Sequence, residues 1–325
     1  MQDKIWEKLK KDLIGIEKNV SLKNYTTYKI GGPAKYFFVA KNKENLINAV
    51  KIAKALKLSV FIMGGGSNLL IADKGFNGLV IKIDITGVEF KDNKLFVGAG
   101  EKLAKLSYLT ADQGLSGLEW AAGIPGAEIG GSIYGHAQAF GDKISDNIES
   151  VQVIDAKTLR FKNFTKKQCQ FSLKNSSFKK NRNLIIVSAV LVFGSGEKEE
   201  IRNKIKEFLD YRRSKHPVIF PSAGSAFVNP EKKITNKKLL EKFPELKEFN
   251  IKGVIPAGYL INKSGLSGKK IGNAQISEKH SNFIINIGGA KAKDVLALIN
   301  LAKKKVKNNF GISLEPEVQF VGFSK

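Results

Sequence analysis

Apolar and polar residues alternate along this chain with two different periods. Helical spacing predicts helices at 44–57, 102–113, 198–213 and 294–307. Shorter apolar runs predict strands, which lie at 36–40, 59–63, 79–83, 88–90, 94–97, 151–155, 185–193, 283–287 and 318–321. The run at 185–193 is too continuously apolar for an exposed edge strand. The pattern therefore favours an α+β fold with an antiparallel or mixed sheet.

The N-terminal segment 1–20 is charged and amphipathic, and it predicts a helix with Ile5, Trp6, Leu9 and Leu13 on one face. It lacks the apolar centre of a secretory signal, and no run of about 18 apolar residues follows. The single cysteine, Cys169, excludes an internal disulfide, and three scattered histidines indicate no metal site. We expect a cytoplasmic protein without a membrane partner or a bound metal.

The formal net charge of +24 raises the question of nucleic-acid binding. The excess is spread over the chain and is nearly all lysine, whereas proteins that contact bases and phosphates favour the planar guanidinium of arginine. No nucleic-acid-binding motif accompanies the charge. We interpret it as a solvated lysine-rich surface, which would also attract an anionic substrate or cofactor.

Three consecutive glycines, Gly64, Gly65 and Gly66, lie between two predicted strands and are followed by Ser67 and Asn68. Backbone without Cβ atoms can curl closely around a phosphate group. The segment matches neither a P-loop nor a Rossmann glycine motif. It indicates either a different kind of nucleotide-binding loop or simply a tight connection.

A second glycine-dense region covers 114–131. Two such loops, one in each half of the N-terminal part, suit a dinucleotide held mainly by backbone amides. The alternative is a pair of tight turns that pack the two halves together.

Two polar side chains stand out in the C-terminal part. Ser225 lies among small residues at 221–230 and could donate a proton to a carbanion, although a turn serine explains it equally. Glu317 precedes the final strand, where it is a general-acid candidate or a solvent-facing carboxylate.

Taken in order, seven blocks of the sequence resemble the UDP-N-acetylenolpyruvoylglucosamine reductase (MurB) family, the FAD enzymes of bacterial peptidoglycan precursor synthesis. The blocks lie at 25–27, 64–70, 114–126, 223–230, 256–261, 272–280 and 314–322. The resemblance implies a two-lobed FAD-binding domain of the vanillyl-alcohol-oxidase (PCMH) type and a C-terminal α+β substrate-binding domain. The implied division is an N-terminal helix at 1–20, the FAD-binding domain at 21–200 with lobes 21–85 and 86–200, and the substrate-binding domain at 201–325. The short path from 229 to 256 resembles the family's type II form.

The resemblance also implies chemistry. A monomeric enzyme would use NADPH and FAD to reduce UDP-N-acetylglucosamine enolpyruvate to UDP-N-acetylmuramate, and so serve cell wall biogenesis, cell shape and cell division. Hydride would pass from the flavin N5 to the enol-ether carbon, and Ser225 would supply the proton. Glu317, protonated, would polarise the substrate carboxylate, and Lys174 would stabilise the enolate. The implied FAD contacts are Tyr25, Thr26, Thr27, Gly64, Gly65, Gly66, Ser67, Asn68, Leu69, Gly117, Gly123, Ile124, Pro125, Gly126, Gly130 and Gly131.

The sequence departs from the family pattern at three places. Lys174 stands where the family has an arginine, which keeps the charge and loses the bidentate fork. The stretch 125–131 is one residue longer than usual, and 136–138 reads His-Ala-Gln in place of Asn-Ala-Gly. The alternatives are therefore a flavin enzyme with another substrate, or a non-catalytic protein that keeps the fold.

Overall fold

The computed structural model describes residues 2–323. The helices in that range are α1 (Gln2–Asp12), α2 (Lys43–Ala55), α3 (Leu103–Asp112), α4 (Ile129–Gly135), α5 (Ile144–Asn147), α6 (Ser177–Lys180), α7 (Lys198–Lys215), α8 (Lys237–Lys242), α9 (Glu245–Lys252), α10 (Ala257–Lys263) and α11 (Ala292–Phe310). The strands are β1 (Glu17–Ser21), β2 (Pro33–Ala40), β3 (Val60–Met63), β4 (Leu69–Ile71), β5 (Phe76–Ile83), β6 (Val88–Lys91), β7 (Lys94–Gly98), β8 (Leu115–Ser116), β9 (Gln138–Ala139), β10 (Asp142–Lys143), β11 (Ile148–Asp155), β12 (Phe161–Thr165), β13 (Leu184–Val192), β14 (Gly194–Ser195), β15 (Lys270–Ile271), β16 (Ala274–Ile276), β17 (Ile284–Asn286) and β18 (Gln319–Val321). The predicted mixture of helices and strands is confirmed.

The chain forms two compact units. Unit 1 holds the residues up to Ser21, Pro33–Gly66 and Phe76–Arg212. Unit 2 holds Leu22–Gly32, Ser67–Gly75 and the chain from Arg213 onward. Two short N-terminal segments thus belong with the C-terminal part. The functional domain boundaries inferred from the resemblance stay a prediction.

The first sheet of unit 1 is mixed. Its strand order is β1-β2-β5-β3, with β2 and β3 parallel to the central β5 and β1 antiparallel at the edge. Helix α2 connects β2 to β3, as a crossover between parallel strands requires. It begins where the side chain of Asn42 accepts a hydrogen bond from the Asn45 N–H at 2.8 Å. Its buried face is Leu46, Ala49, Val50, Ile52 and Ala53.

The second sheet of unit 1 is antiparallel throughout, with the order β12-β11-β13-β7-β6. Strand β13 is central and mostly buried. Its continuous apolar run is explained by that position, as the sequence predicted. Trp120 and Phe178 are fully buried in the core that covers this unit.

The core of unit 2 is built around α11, which buries one face consisting of Ala292, Val295, Leu298, Ile299, Ala302, Val306 and Phe310. An antiparallel sheet of order β15-β16-β17 and a parallel pair, β4 with β18, belong to the same unit. Tyr28 is buried, and its hydroxyl donates to the carbonyl oxygen of Ile284 at 2.7 Å. Tyr28 thereby anchors the 22–32 segment to β17.

Two predicted elements differ from the structure. The expected helix at 1–20 ends at Asp12, and the chain turns at Gly15, whose φ of 86° is a left-handed conformation that glycine adopts without strain. Residues 17–21 then pair with β2 as a strand. In the second glycine region, Gly130 and Gly131 lie in the first turn of α4 and not in a loop.

Candidate functional site

The two glycine regions of unit 1 touch each other. A Cβ atom placed on Gly65, just after β3, would collide with the carbonyl oxygen of Gly126. Only glycine allows this approach of two backbones. The contact is the kind of close packing that the alternative of tight turns predicts, and it also brings the two candidate ligand loops side by side.

The N-terminal turn of α4 has an open side. A Cβ atom placed on Gly131 would meet no heavy atom within 4 Å. The next residue, Ser132, has a buried hydroxyl oxygen without a hydrogen-bond partner among the described residues. Buried polar atoms normally have partners, so an unpaired hydroxyl beside exposed glycine backbone is consistent with a ligand that supplies one.

Gly117 and Gly123 are both in contact with other groups of the protein. The Gly117 N–H donates to the Glu119 carboxylate at 2.8 Å, and the Ser116 hydroxyl donates to the same carboxylate at 2.6 Å. A Cβ atom on Gly123 would collide with the side chain of Arg212. Ile124 and Pro125 follow in the same turn, which leads to Gly126.

Arg212 is not among the site residues predicted from the sequence. Its guanidinium lies 4.9 Å from the ring centre of Phe140 and donates to the carbonyl oxygen of Trp120 at 3.4 Å. Its buried Nε has no hydrogen-bond partner among the described residues, and burial lowers the pKa of the guanidinium. The one sequence feature that could have drawn attention to Arg212 is the rarity of arginine, since this lysine-rich chain has five.

The stretch 125–131 contains a buried carboxylate. Glu128 pairs with Lys82 at 2.9 Å and with Lys102 at 2.6 Å, and only 1 % of its side chain is exposed. The irregular spacing of this stretch is visible in the sequence, whereas the burial and pairing of Glu128 are not.

Lys174 lies in a tight turn of unit 1 in which Ser172 and Asn175 exchange backbone hydrogen bonds of 3.1 and 3.0 Å. The imidazole of His136, at the end of α4, contacts the Ser172 carbonyl oxygen through Nδ1 at 2.6 Å and the Ser145 hydroxyl through Nε2 at 2.9 Å. Two of the departures from the family pattern, His136 and Lys174, are therefore structurally connected.

Three predicted cofactor contacts lie near the start of unit 2. The hydroxyl of Thr26 donates to the Ile30 carbonyl oxygen at 3.0 Å, so Thr26 is committed to its own turn. The hydroxyl of Thr27 donates to the Ser222 carbonyl oxygen at 2.8 Å and so contacts the serine loop. Tyr25, partly exposed, ends the 3-10 turn before them.

Asn68 joins the predicted cofactor loop to the Glu317 segment within unit 2. Its side-chain amide donates to the backbone carbonyl oxygen of Glu317 at 3.1 Å. The backbone carbonyl oxygen of Asn68 accepts from the Gln319 N–H at 3.0 Å. Leu69 then pairs with Gln319 in the parallel pair of β4 and β18. The side-chain oxygen of Asn68 is buried and unpaired among the described residues. Ser67, which precedes it, is partly exposed.

Ser225 and Glu317 lie in neighbouring segments. The Glu317 N–H donates to the carbonyl oxygen of Ala226 at 2.9 Å, and the Val228 N–H donates to that of Glu315 at 3.0 Å. Both Ser225 and Glu317 are partly exposed. The arrangement holds a hydroxyl and a carboxyl group on adjacent backbone segments of one unit.

The other side of the Ser225 loop is fixed by Asn282. Its backbone carbonyl accepts from the Ala226 N–H at 2.7 Å, its side-chain oxygen accepts from the Phe227 N–H at 3.1 Å, and its amide donates to the Phe227 carbonyl at 2.9 Å. A single asparagine thus satisfies three polar groups of the loop. No signal in the sequence identified it.

Two histidines, His216 and His280, lie around Phe283, which is the backbone bridge partner of Ser225. The rings of His216 and His280 have centres 5.1 and 4.9 Å from that of Phe283. Burial lowers the pKa of His280, which favours its neutral form.

Residues 2–323 contain no group of three or more histidine, cysteine, aspartate or glutamate side chains that could hold a metal ion. None of the helices in this part of the chain is both long enough and apolar enough to cross a membrane.

Two family models match the chain. Residues 34–159 match one described as an FAD binding domain, and residues 216–321 match one described as the C-terminal domain of UDP-N-acetylenolpyruvoylglucosamine reductase. The UDP-N-acetylenolpyruvoylglucosamine reductase of Halalkalibacterium halodurans is 39% identical over 307 residues, which cover 94% of this chain and 93% of that protein. The enzyme of the same name from Lactobacillus helveticus is 37% identical over 318 residues, 98% of each chain.

A solved structure agrees with these sequence relatives. The crystal structure of the reductase (MurB) from Thermus caldophilus matches with a TM-score of 0.74 and 32% identity, covering 94% of this chain and 98% of that one. The α+β fold with an FAD-binding domain and the resemblance drawn from seven sequence blocks are confirmed. This chain belongs to the UDP-N-acetylenolpyruvoylglucosamine reductase family.

Proposed function

We propose that this chain catalyses the NADPH-dependent, FAD-mediated reduction of UDP-N-acetylglucosamine enolpyruvate to UDP-N-acetylmuramate in peptidoglycan precursor synthesis. The observation that carries the proposal is the hydrogen bond between the Glu317 N–H and the Ala226 carbonyl oxygen. It joins the segment of the proton-donor candidate to the segment of the acid candidate. The family membership supplies the substrate class.

The residues of unit 1 fit FAD. FAD bound there would supply the chemistry of hydride transfer between NADPH and the substrate. We assign the diphosphate and the adjoining groups to Gly64, Gly65, Gly66, Gly126, Gly130 and Gly131, with the unpaired Ser132 hydroxyl beside them. Glycine backbone permits close approach to phosphate oxygens, and α4 begins at this point. The other predicted contacts, at 25–27, 67–69, 117 and 123–125, remain part of the same proposal.

Ser225 is the proton donor in this proposal. Addition of hydride to one carbon of the enol ether leaves an enolate, and one proton at the neighbouring carbon completes the reduction. The loop that carries Ser225 is held on one side by Asn282 and on the other by the Glu317 segment. Such fixed placement is what a general acid needs to act at one carbon atom.

Glu317 and Lys174 have separate roles in this proposal. Glu317 would polarise the substrate carboxylate as a hydrogen-bonding acid, and its partly exposed position is compatible with a substrate contact. Lys174 would stabilise the negative charge of the enolate as a point charge. The tight turn that carries it, held by His136, limits its freedom.

The proposal is tested by the absorbance of the purified protein. The protein should bind FAD, lose the flavin absorbance on addition of NADPH without substrate, and regain it on addition of UDP-N-acetylglucosamine enolpyruvate. A protein that takes up no added FAD contradicts the proposal. Flavin reduction without reoxidation by this substrate would favour the alternative of another substrate, which no finding supports over the main function.

The remaining expectations belong to this proposal. We propose that the enzyme acts as a monomer in the cytoplasm, without a nucleic-acid or membrane partner. Its two substrates are free nucleotides, which supports action in solution on small molecules. The excess of lysine then serves as a positive field for anionic substrates. Mass measurement in solution across a range of salt concentrations tests the oligomeric state.

A further inference from the structure

We propose that Glu128 is a positioning residue that holds the two glycine loops of unit 1 together and thereby sets the affinity for the diphosphate of FAD. The inference rests on the proposed FAD site, and it concerns a residue in the stretch 125–131. Four observations carry it: the burial of Glu128, its two ion pairs, its backbone anchors and its contact with the first glycine loop.

Glu128 is a buried charge with complete pairing. Its carboxylate receives Lys82 Nζ at 2.9 and 3.1 Å and Lys102 Nζ at 2.6 Å, and 1 % of its side chain is exposed. A buried carboxylate is stabilised only where cations and hydrogen bonds compensate for the lost water. The side chain therefore has one favourable position, between the two lysines.

The two lysines come from different parts of unit 1. Lys82 is in β5 of the mixed sheet, and its ammonium group also donates to the Ile83 carbonyl oxygen at 2.6 Å. Lys102 immediately precedes α3. Glu128 thus links the mixed sheet, which carries the first glycine loop, to the start of α3.

The backbone around Glu128 is anchored on both sides. The Leu103 N–H donates to the Ala127 carbonyl oxygen at 2.9 Å, and the Ile129 N–H donates to the Glu101 carbonyl oxygen at 3.0 Å. These two hydrogen bonds fix the backbone of the segment, and so they also fix where the Glu128 carboxylate meets Lys82 and Lys102.

The carboxylate packs against the first glycine loop. A Cβ atom on Gly64 would lie 3.3 Å from Oε2 of Glu128, and one on Gly65 would lie 3.3 Å from its Cδ. Because Gly65 also abuts the Gly126 carbonyl oxygen, both loops rest against the same short segment. Two ammonium groups and one carboxylate leave a net positive charge here, which is compatible with a bound diphosphate.

The test measures the dissociation constant of FAD, by flavin fluorescence, for the wild-type apoprotein and the Glu128→Gln variant. The variant keeps the side-chain shape and removes the charge, so the loops lose their ionic link. We expect the FAD dissociation constant to rise about tenfold or more, which corresponds to about 1.4 kcal/mol. A variant that binds FAD as tightly as the wild type, or more tightly, overturns the inference.

Glu101→Gln is the matched control. Glu101 is also a buried glutamate, and its carboxylate pairs with Lys105 at 3.1 Å and accepts from the Gly87 N–H at 3.1 Å, neither of which belongs to a glycine loop. The substitution keeps the backbone carbonyl that accepts from the Ile129 N–H. We expect it to lower the unfolding temperature while leaving the FAD dissociation constant within about twofold of the wild type. An equal loss of affinity in both variants would indicate general destabilisation and overturn the positioning role.

Lys102→Met covers the case in which Glu128→Gln fails to fold, since 54% of the Lys102 side chain is exposed. As a single change, Lys102→Met should weaken FAD binding. Where Glu128→Gln folds, adding Lys102→Met to it should cause no further loss, as for two residues that act as one unit. A full additional loss would mean that Lys102 contacts the diphosphate independently, against the inference. A wild-type protein that binds no FAD would instead refute the proposed function.

Discussion

The N–H of Glu317 donates a hydrogen bond of 2.9 Å to the carbonyl oxygen of Ala226, the residue that follows Ser225. The Ser225 loop also bonds to Asn282 on its other side, so it is held like a strand between two neighbours. Residues 92 positions apart in sequence are thereby fixed near one another. A proton donor and an acid that act on one substrate need this degree of order.

Replacing Ser225 by alanine should separate the two half-reactions. We expect NADPH to reduce the flavin at an unchanged rate, whereas reoxidation by the UDP-sugar slows by at least about 10²-fold, because the proton donor is lost. Stopped-flow absorbance measures both steps. Ser222→Ala, in the same loop, is the control and should leave both rates near the wild-type values. An unchanged reoxidation rate in Ser225→Ala would contradict the assignment.

The two glutamates of the Leu-Glu-Pro-Glu motif offer a matched pair. Glu317→Gln should lower kcat with the UDP-sugar about 10²-fold, since an amide is a poorer hydrogen-bond donor to a carboxylate than a carboxyl group is. Glu315 is exposed, and its known contact is made by its backbone carbonyl, so Glu315→Gln should behave as the wild type. Equal effects of the two changes on steady-state kcat would argue against a special role for Glu317.

The role of Lys174 can be tested by removing its charge and by introducing the arginine that the family has at this position. Lys174→Met should lower kcat by roughly 10- to 100-fold through loss of charge stabilisation of the enolate. Lys174→Arg should keep or raise kcat, because the guanidinium offers a bidentate contact to an oxyanion. The backbone φ of 52° is a property of the turn and is equally accessible to both replacements. A methionine variant with wild-type kcat would remove Lys174 from the mechanism.

The buried hydroxyl of Tyr28 should make the free energy of unfolding depend on pH. Burial raises the pKa of its hydroxyl well above the ordinary value of 10.0, and that hydroxyl donates to the Ile284 carbonyl oxygen. Because the folded pKa lies above the unfolded pKa, the stabilisation is complete below pH 10 and is lost progressively as the pH rises above it. Tyr28→Phe should cost about 1–2 kcal/mol of unfolding free energy at pH 8, since it leaves a buried carbonyl oxygen unpaired.

The difference between wild type and Tyr28→Phe should then shrink above pH 10, because only the wild type carries this ionisable group. Urea unfolding at pH 8, 9, 10 and 10.5 measures it. A difference that stays constant over this range would contradict the linkage. Tyr108→Phe, at an exposed position, is the control and should change stability little at any pH.

Much of the secondary structure followed from the sequence alone. The apolar spacing at 44–57 and 294–307 predicted α2 and α11, and the continuous run at 185–193 predicted a central strand. These features are local, because the spacing of apolar residues along a helix or strand decides which of its faces is buried. The family was also determined at this level, because seven blocks in order are a property of the chain and not of its packing.

Only the tertiary structure decided which segments meet. The 22–32 and 67–75 segments belong with the C-terminal part because Tyr28 bonds to Ile284 and Asn68 to Glu317, contacts between residues more than 240 positions apart. The hydrogen bonds of Asn282 and the ion pairs of Glu128 leave no periodic trace in the sequence. Hydrogen bonds and ion pairs of this kind depend on the final backbone positions, which local residue preferences do not specify.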